Sequence, residues 1–191
     1  MSQSDPICIR PELSADMSQV HAVVEAAFSA SAFGHHGEAD LIERLRAGCS
    51  EILSLAAECE GRLVGHVLFS PVSLHLAGDC DSSPICTGMG LGPLAVLPAR
   101  QRRGIGSRLV EEGLDLLRQR GCPFACVLGD PAFYGRFGFQ PAAPLGILCE
   151  FGGAENGAFQ IIYMTDEAPG LSSRLAKYRP EFSDLGHEPR P

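Results

Sequence analysis

The sequence predicts an α/β fold in which helices flank a central, mostly antiparallel mixed sheet. Two helical patterns follow a short first strand, and two extended runs then meet at the turn Glu60-Gly61. Further along, an apolar run ending at Val96 leads through a turn rich in arginine and glycine into an amphipathic helical pattern. The predicted order is β, α, α, β, β, β, α, β, α, followed by further strands.

The first helix is predicted to begin at Asp16, after a short strand over residues 7–10. Gln19 follows Asp16 at the spacing of a capping box. An apolar stripe continues behind it through Met17, Val20, Val24 and Phe28. A loop over residues 31–37 then separates this helix from a second one, predicted over residues 38–47.

A hairpin and one further strand follow the two helices. Residues 52–59 and 62–76 form the two arms of the hairpin, and a polar turn over residues 77–84 precedes the strand that ends at Val96.

The second half of the chain continues with a helix over residues 107–120 and a strand over 124–128. A short helix then starts at Pro131, and two strands are predicted near residues 146–150 and 159–164.

Residues 1–165 are predicted to form one domain, and residues 166–191 a C-terminal appendage that is ordered only in part. The appendage carries many charges and three prolines beyond Lys177. A chain of 191 residues is long enough for one substantial core, and 45% hydrophobic with 20% charged residues is an ordinary globular composition.

Composition and charge also limit where the protein is located and what it binds. No apolar run approaches the length of about 20 residues that a membrane span needs. Residues 1–5 lack the basic and apolar regions of an export signal, so a cytoplasmic location is expected. The formal net charge of −8 disfavours nucleic acid and suits a cationic amine substrate.

The eight cysteines predict neither a metal site nor a disulfide framework. No two of them have Cys-x-x-Cys spacing, and the closest pair, Cys122 and Cys126, lies in or beside a predicted strand. Free thiols in a reducing compartment are therefore expected, with no bound metal.

The turn after Val96 has the features of an anion-binding loop. Gly104 and Gly106 let the backbone approach a ligand, the following helix starts with N–H groups that have no internal acceptor, and Arg102 and Arg103 add forked donors. The glycine spacing excludes a Walker loop. A dinucleotide fingerprint is excluded too, because Leu109 stands where its third glycine is needed.

The segment Gln101-Arg102-Arg103-Gly104-Ile105-Gly106 resembles the acyl-CoA pyrophosphate loop of the GNAT superfamily of N-acetyltransferases. The resemblance implies acetyl-CoA as co-substrate and a GNAT-like fold over roughly residues 5–165. It also implies that the loop and the residue after it contact the cofactor. These residues are Gln101, Arg102, Arg103, Gly104, Ile105, Gly106 and Ser107.

The segment from Gly129 to Phe139 resembles a second part of that superfamily, with Tyr134 and Gly138-Phe139 at the matching positions. The resemblance implies that Tyr134 donates a proton to the thiolate of CoA as it leaves. In isolation the same residue would more often be a core tyrosine with its hydroxyl satisfied elsewhere.

The strand before the loop has an unusual composition for the centre of a sheet. Gly90, Gly92 and Pro93 weaken strand pairing. The resemblance implies that strands 4 and 5 are splayed apart here, so that Leu94, Ala95 and Val96 offer backbone groups to the cofactor and to the developing oxyanion. Many members of the superfamily carry an acidic base near this strand, but residues 91–96 contain none.

The general base stays open. The position of Asp130 favours a cap of the short helix over a base. His66 shares a strand face with apolar residues, which favours a core histidine. Further candidates are Glu58, the loop residues His35 and His36, and water.

The sequence thus favours an acetyltransferase that acts by direct attack of a primary amine of a small molecule, peptide or protein. The alternative is a non-catalytic acyl-CoA-binding module that senses the cofactor or supports a partner, and a weaker option keeps the enzyme with another acyl donor or an alcohol acceptor. The acceptor itself and the oligomeric state, including a homodimer, are left open.

Overall fold

The computed structural model describes residues 6–30, 37–78, 83–153, 156–165 and 173–186. By its internal contacts the chain divides into two compact units. The first unit comprises residues 1–69, 93–113 and 181–191, and the second comprises residues 70–92 and 114–180.

Four helices are found in the described residues. They are α1 (Met17–Ser29), α2 (Glu38–Gly48), α3 (Ile105–Gln119) and α4 (Pro131–Tyr134), of which α4 is a single turn. Helix α3 begins two residues earlier than predicted, because Gly104 with its positive φ already provides the break before it.

The described residues also form nine strands. They are β1 (Cys8–Pro11), β2 (Leu53–Cys59), β3 (Arg62–Leu76), β4 (Cys86–Val96), β5 (Phe124–Leu128), β6 (Gln140–Pro141), β7 (Ile147–Cys149), β8 (Phe159–Tyr163) and β9 (Arg174–Lys177).

The strand pairs form a mixed sheet, which confirms the predicted fold class. In the first unit β2 pairs antiparallel with both β1 and β3. In the second unit β8 pairs antiparallel with β5 and β6, and β9 pairs antiparallel with the end of β3. The parallel pairs are β4 with β5 and β7 with β9.

The pairing of β4 with β5 is short. It covers Met89, Gly90 and Leu91 of the eleven residues of β4. It stops immediately before Gly92 and Pro93, where the composition predicts a break in the ladder. The short ladder agrees with the expectation of splayed strands at this point.

Each unit has its own apolar core. In the first unit residues of α1 and α2 pack with residues of β2, β3 and β4, among them Ala56, Leu68 and Ala95, and Phe182 packs against this cluster. In the second unit Phe124 and Cys126 of β5 pack with Phe159 and Ile161 of β8. Strand β9 belongs to this second core, so part of the predicted appendage pairs with the rest of the chain.

One local prediction is wrong. The carboxylate of Asp16 does not cap α1, but accepts hydrogen bonds from the guanidinium of Arg10 (2.6 and 3.1 Å) and from the Leu13 N–H (2.8 Å). The charged donor outcompetes an exposed helix end. The Gln19 side chain instead accepts from the N–H of Leu63, at 3.2 Å. Within the described residues no helix has both the length and the apolar character that a membrane crossing needs.

Candidate functional site

The predicted anion-binding loop connects β4 to α3 in the first unit. Its entry is fixed by the Leu97 N–H, which donates to the Val64 carbonyl of β3 at 3.0 Å. The side-chain amide of Gln101 donates back to the Val96 carbonyl at 3.0 Å and closes the loop. Gln101 therefore holds the loop in shape, a role that its position in the motif did not indicate.

Two residues of the loop have left-handed backbone conformations. Gly104 has φ +80°, and, apart from its two chain neighbours, no described residue has an atom within 4 Å of the point where its Cβ would be. Arg102 has φ +59°, which is uncommon for a residue with a side chain. The open side of Gly104 leaves room for a ligand beside the backbone.

The start of α3 adds unpaired donors. The first hydrogen bond of the helix joins the Arg108 N–H to the Gly104 carbonyl at 3.0 Å, so the N–H groups of Ile105 and Gly106 precede it without helical acceptors. The Ile105 side chain is 2% exposed and anchors the first turn in the core, whereas Gly106 is half-exposed. These N–H groups, with the partial positive charge of the helix end, suit an anion.

The guanidinium groups of Arg102 and Arg103 are exposed, and neither makes a hydrogen bond or ion pair with any residue that the structure describes. Two adjacent cations without a protein counter-charge are suited to an anionic ligand. Together with the open side of Gly104, they make the loop suitable for binding an anion.

The end of β4 offers backbone groups next to the loop. Ala95 is buried, whereas Leu94 and Val96 on either side of it are half-buried, as expected for alternating faces of a strand. The Val96 carbonyl is already an acceptor for Gln101.

Tyr134 lies at the end of α4 in the second unit. The carboxylate of Asp130 caps this helix by accepting from the Ala132 N–H at 2.9 Å. The Tyr134 ring packs edge-on against Phe133 and Phe139, with ring centroids 4.9 and 5.8 Å apart. Although α4 is a single turn, the Asp130 cap and the contacts of the Tyr134 ring hold it in place.

The Tyr134 hydroxyl is protonated and can donate a hydrogen bond to a ligand. Burial raises its pKa well above the usual value of 10, and the negative charge of Asp130 raises it further. The hydroxyl makes no hydrogen bond to another described residue, so its proton is not committed to a protein acceptor. It consequently stays protonated at neutral pH and can donate to a ligand.

The candidates for a general base are mostly engaged. Asp130 caps α4, as the more probable sequence interpretation had it. Glu58 accepts from the Arg10 guanidinium at 2.7 Å. His35 and His36 lie outside the described residues.

His66 belongs to a buried polar network in the first unit. Its side chain is fully buried, and its Nε2 atom lies 2.8 Å from Ser54 Oγ and 3.2 Å from Glu12 Oε2. Glu12 also accepts hydrogen bonds from Ser54 and Arg46. Burial lowers the pKa of His66, although its bond to Glu12 opposes this.

This network lacks the geometry of a proton relay from a nucleophile to an acid. Both oxygens contact the same histidine nitrogen, and Nδ1 of His66 is buried with no partner in the described structure. A relay requires the hydroxyl and the carboxylate on opposite ring nitrogens. The placement agrees with a structural histidine.

Sequence reasoning missed the partners of His66. Ser54 pairs with Leu68 and His66 with Ala56, so the two side chains are diagonal neighbours on one face of the β2–β3 ladder. That register could have suggested the contact. Nothing in the sequence pointed to Glu12, which lies 54 residues from His66.

The described residues contain no group of three or more histidine, cysteine or acidic side chains that could hold a metal. All seven cysteines that the structure describes are free thiols.

Comparisons with known proteins identify a family of acetyltransferases. The family model described as an acetyltransferase (GNAT) domain matches residues 9–142. The N-acetyltransferase YhbS of Escherichia coli strain K12 is 34% identical over 176 residues, which cover 92% of this chain and 98% of that protein.

Two solved structures are similar over nearly the whole chain. The first is the GNAT family N-acetyltransferase YhbS from Escherichia coli in complex with CoA, with a TM-score of 0.80 and 33% identity over 95% of this chain and 94% of that one. The second is a GNAT family acetyltransferase from Brucella melitensis in complex with acetyl-CoA, with a TM-score of 0.73 and 34% identity over 94% of this chain and 99% of that one.

Proposed function

The chain belongs to the GNAT superfamily of acetyl-CoA-dependent N-acetyltransferases, and on that premise we propose that it acetylates a primary amine of a small molecule, peptide or protein by direct attack. A net charge of −8 supports a cationic acceptor.

In this proposal the loop between β4 and α3 binds the pyrophosphate of acetyl-CoA. Gly104, Ile105, Gly106 and Ser107 supply the backbone surface, and Arg102 and Arg103 supply charge. Gln101 contributes indirectly through its bond to Val96. The support is the combination of an open left-handed glycine, N–H groups ahead of the first helical bond and two exposed arginines.

Acetyl transfer also needs donors near the reacting carbonyl. We assign this role to a backbone N–H among Leu94, Ala95 and Val96, because these residues lie beyond the short β4–β5 ladder and do not pair with β5. A preorganised donor of this kind is typically worth about 2.7 to 4 kcal/mol of transition-state stabilisation.

Three proton transfers accompany the reaction. An alkylammonium with a pKa of about 10.4 must lose a proton before it attacks. Asp130, Glu58 and His66 are each held by other groups, so we assign this step to water. The attacking nitrogen loses a second proton as the amide forms. The Tyr134 hydroxyl gives its proton to the departing thiolate, which breaks the O–H bond and forms an S–H bond, and the proton from the nitrogen returns through water to the tyrosinate.

The observation that carries the proposal is the Tyr134 hydroxyl, which lies at the end of α4 and has no hydrogen bond to a described residue. Tyr134→Phe should lower kcat by roughly 10² to 10⁴, because the proton is needed in the transition state, and leave the acetyl-CoA Kd nearly unchanged. Thiol release would first identify an acceptor among polyamines, amino acids, aminoglycosides and peptides. Full kcat of the phenylalanine variant from pH 7 to 9 would contradict the acid role.

The second candidate is a non-catalytic acyl-CoA-binding module. The absence of an acidic residue from residues 91–96 favours it. Tight CoA binding with no thiol release across the amine panel would support this candidate against the enzyme. The cytoplasmic location, the homodimer and the domain boundary at residue 165 stay predictions.

A further inference from the structure

Gly129 occupies the junction between β5 and α4 and lies directly against the Tyr134 ring. A Cβ atom at Gly129 would lie 2.5 Å from Cε2, 3.1 Å from Cδ2 and 3.5 Å from Cζ of that ring. The first of these distances is shorter than real Cβ atoms allow. Any other residue at position 129 would therefore push the ring or the backbone aside.

The backbone conformation does not itself require glycine here. The φ angle of Gly129 lies outside the left-handed region, in contrast to Gly138 a few residues later. The φ angle therefore does not exclude alanine at position 129. The three atoms nearest the Cβ position all belong to the Tyr134 ring, so the ring is the first obstacle to a side chain here.

The peptide groups around Gly129 are fixed, so the ring is the part that would move. The Gly129 N–H donates to the Ala158 carbonyl at 2.9 Å, and the Gly129 carbonyl accepts from the Gln160 side chain at 3.2 Å. Gln160 is only 1% exposed. Asp130, the next residue along, is tied to the Ala132 N–H.

Two other aromatic rings also contact Tyr134. Phe133 and Phe139 pack edge-on against it, with interplanar angles of 86° and 74°. Together with the fixed backbone at Gly129, these contacts restrict the position of the ring and therefore of its hydroxyl.

We infer that Gly129 is a positioning residue for Tyr134. Because position 129 has no side chain and its carbonyl is held by Gln160, the Tyr134 ring can lie against it, and this determines the position of the Tyr134 hydroxyl. The inference rests on the proposed proton donation from Tyr134 to the thiolate. A displacement of about 1 Å in such a group can lower a rate by about 10²-fold.

The test is a double-mutant cycle with Gly129→Ala, Tyr134→Phe and the double variant. Gly129→Ala alone should lower kcat by about 10- to 100-fold and change the acetyl-CoA KM less than about twofold, because the cofactor loop is untouched. In the Tyr134→Phe background the same substitution should cost less than about twofold, since there is no hydroxyl left to misplace.

Gly135→Ala is the matched control. Gly135 lies in the same segment, has φ −56°, and, apart from its chain neighbours Tyr134 and Arg136, has no described atom within 4 Å of its Cβ position. It should leave kcat unchanged. If Gly129→Ala does not fold, as judged by thermal unfolding, Gln160→Met removes the bond to the Gly129 carbonyl at similar volume. It should lower kcat only when Tyr134 is present.

The outcomes separate the two proposals. If Tyr134→Phe lowers kcat, and Gly129→Ala lowers kcat by the same factor with and without the Tyr134 hydroxyl, the positioning role is wrong and proton donation is left intact. A Gly129→Ala variant with full kcat would do the same. A Tyr134→Phe variant with full kcat would overturn proton donation itself, and with it the positioning role.

Discussion

Arg102 affects both the stability of the protein and the binding of its proposed ligand. Its backbone is left-handed, which costs stability, and its guanidinium is exposed, which suits an anion. Replacing it with alanine or with glycine removes the same guanidinium, but only glycine relieves the backbone. The pair of variants therefore separates the two effects at one position.

The stability difference can be worked out from φ +59°. A left-handed conformation costs a residue with a Cβ about 1 to 2 kcal/mol, and glycine avoids this. Glycine also gains about 0.5 to 1 kcal/mol of extra freedom in the unfolded chain, which offsets part of the relief. Arg102→Gly should therefore be more stable than Arg102→Ala by about 1 kcal/mol, measured by urea unfolding without ligand.

The affinity for CoA should fall alike in both variants. Loss of hydrogen bonds to a charged group costs about 1.5 to 3 kcal/mol, which corresponds to a Kd about 13- to 160-fold higher. Calorimetric titration with CoA measures this, and dephospho-CoA shows whether Arg102 contacts the ribose phosphate. Arg103→Ala is the control for backbone strain only, because Arg103 is an exposed neighbour without a left-handed backbone, and its CoA affinity should fall as well.

Two results would refute this reasoning. Equal stability of the alanine and glycine variants would show that the loop backbone relaxes without cost. Unchanged CoA affinity in folded Arg102→Ala and Arg103→Ala would show that the exposed arginines do not bind the phosphates.

Two further predictions concern the first unit. Gly106→Val should abolish CoA binding in calorimetry while the protein stays folded, because a branched side chain in the first turn of α3 blocks close approach to the backbone; unchanged affinity would remove the main support for the loop. His66→Gln should reduce the pH dependence of stability. The pKa of His66 is lowered from 6.5 by burial, so below pH 6.5 the unfolded chain binds a proton that the folded protein does not. Unfolding free energy should then fall as pH decreases, by up to about 1.4 kcal/mol per pH unit. Urea unfolding from pH 7.5 to 5 should show a shallower slope for the variant, and equal slopes would contradict the burial argument.

The features that the sequence predicts well are local. The anion-binding loop, the helix after it and the Asp130 cap all depend on residues within a few positions of one another. Glycine and proline mark breaks by their own conformational limits, as at Gly92 and Pro93, so the end of the β4–β5 ladder could also be predicted.

The features that the sequence does not predict depend on distant partners. The capping box at Asp16 failed because Arg10, on the preceding strand, competes for the carboxylate. The Glu12–His66 contact needs three strands, β1, β2 and β3, to pair first. The need for glycine at position 129 becomes visible only when the ring of Tyr134 is in place.

The anion-binding loop also shows how function sets a limit on stability. The left-handed backbone at Arg102 destabilises the free loop, and the neighbouring cations Arg102 and Arg103 have no described counter-charge. Neither feature helps the ligand-free chain to fold. An anion that binds only the folded loop offsets both, and stabilises the protein by RT ln(1 + [L]/Kd), about 2.7 kcal/mol at 100 times Kd. The gain from CoA in wild-type protein should thus depend on the same two arginines whose placement makes the free loop costly.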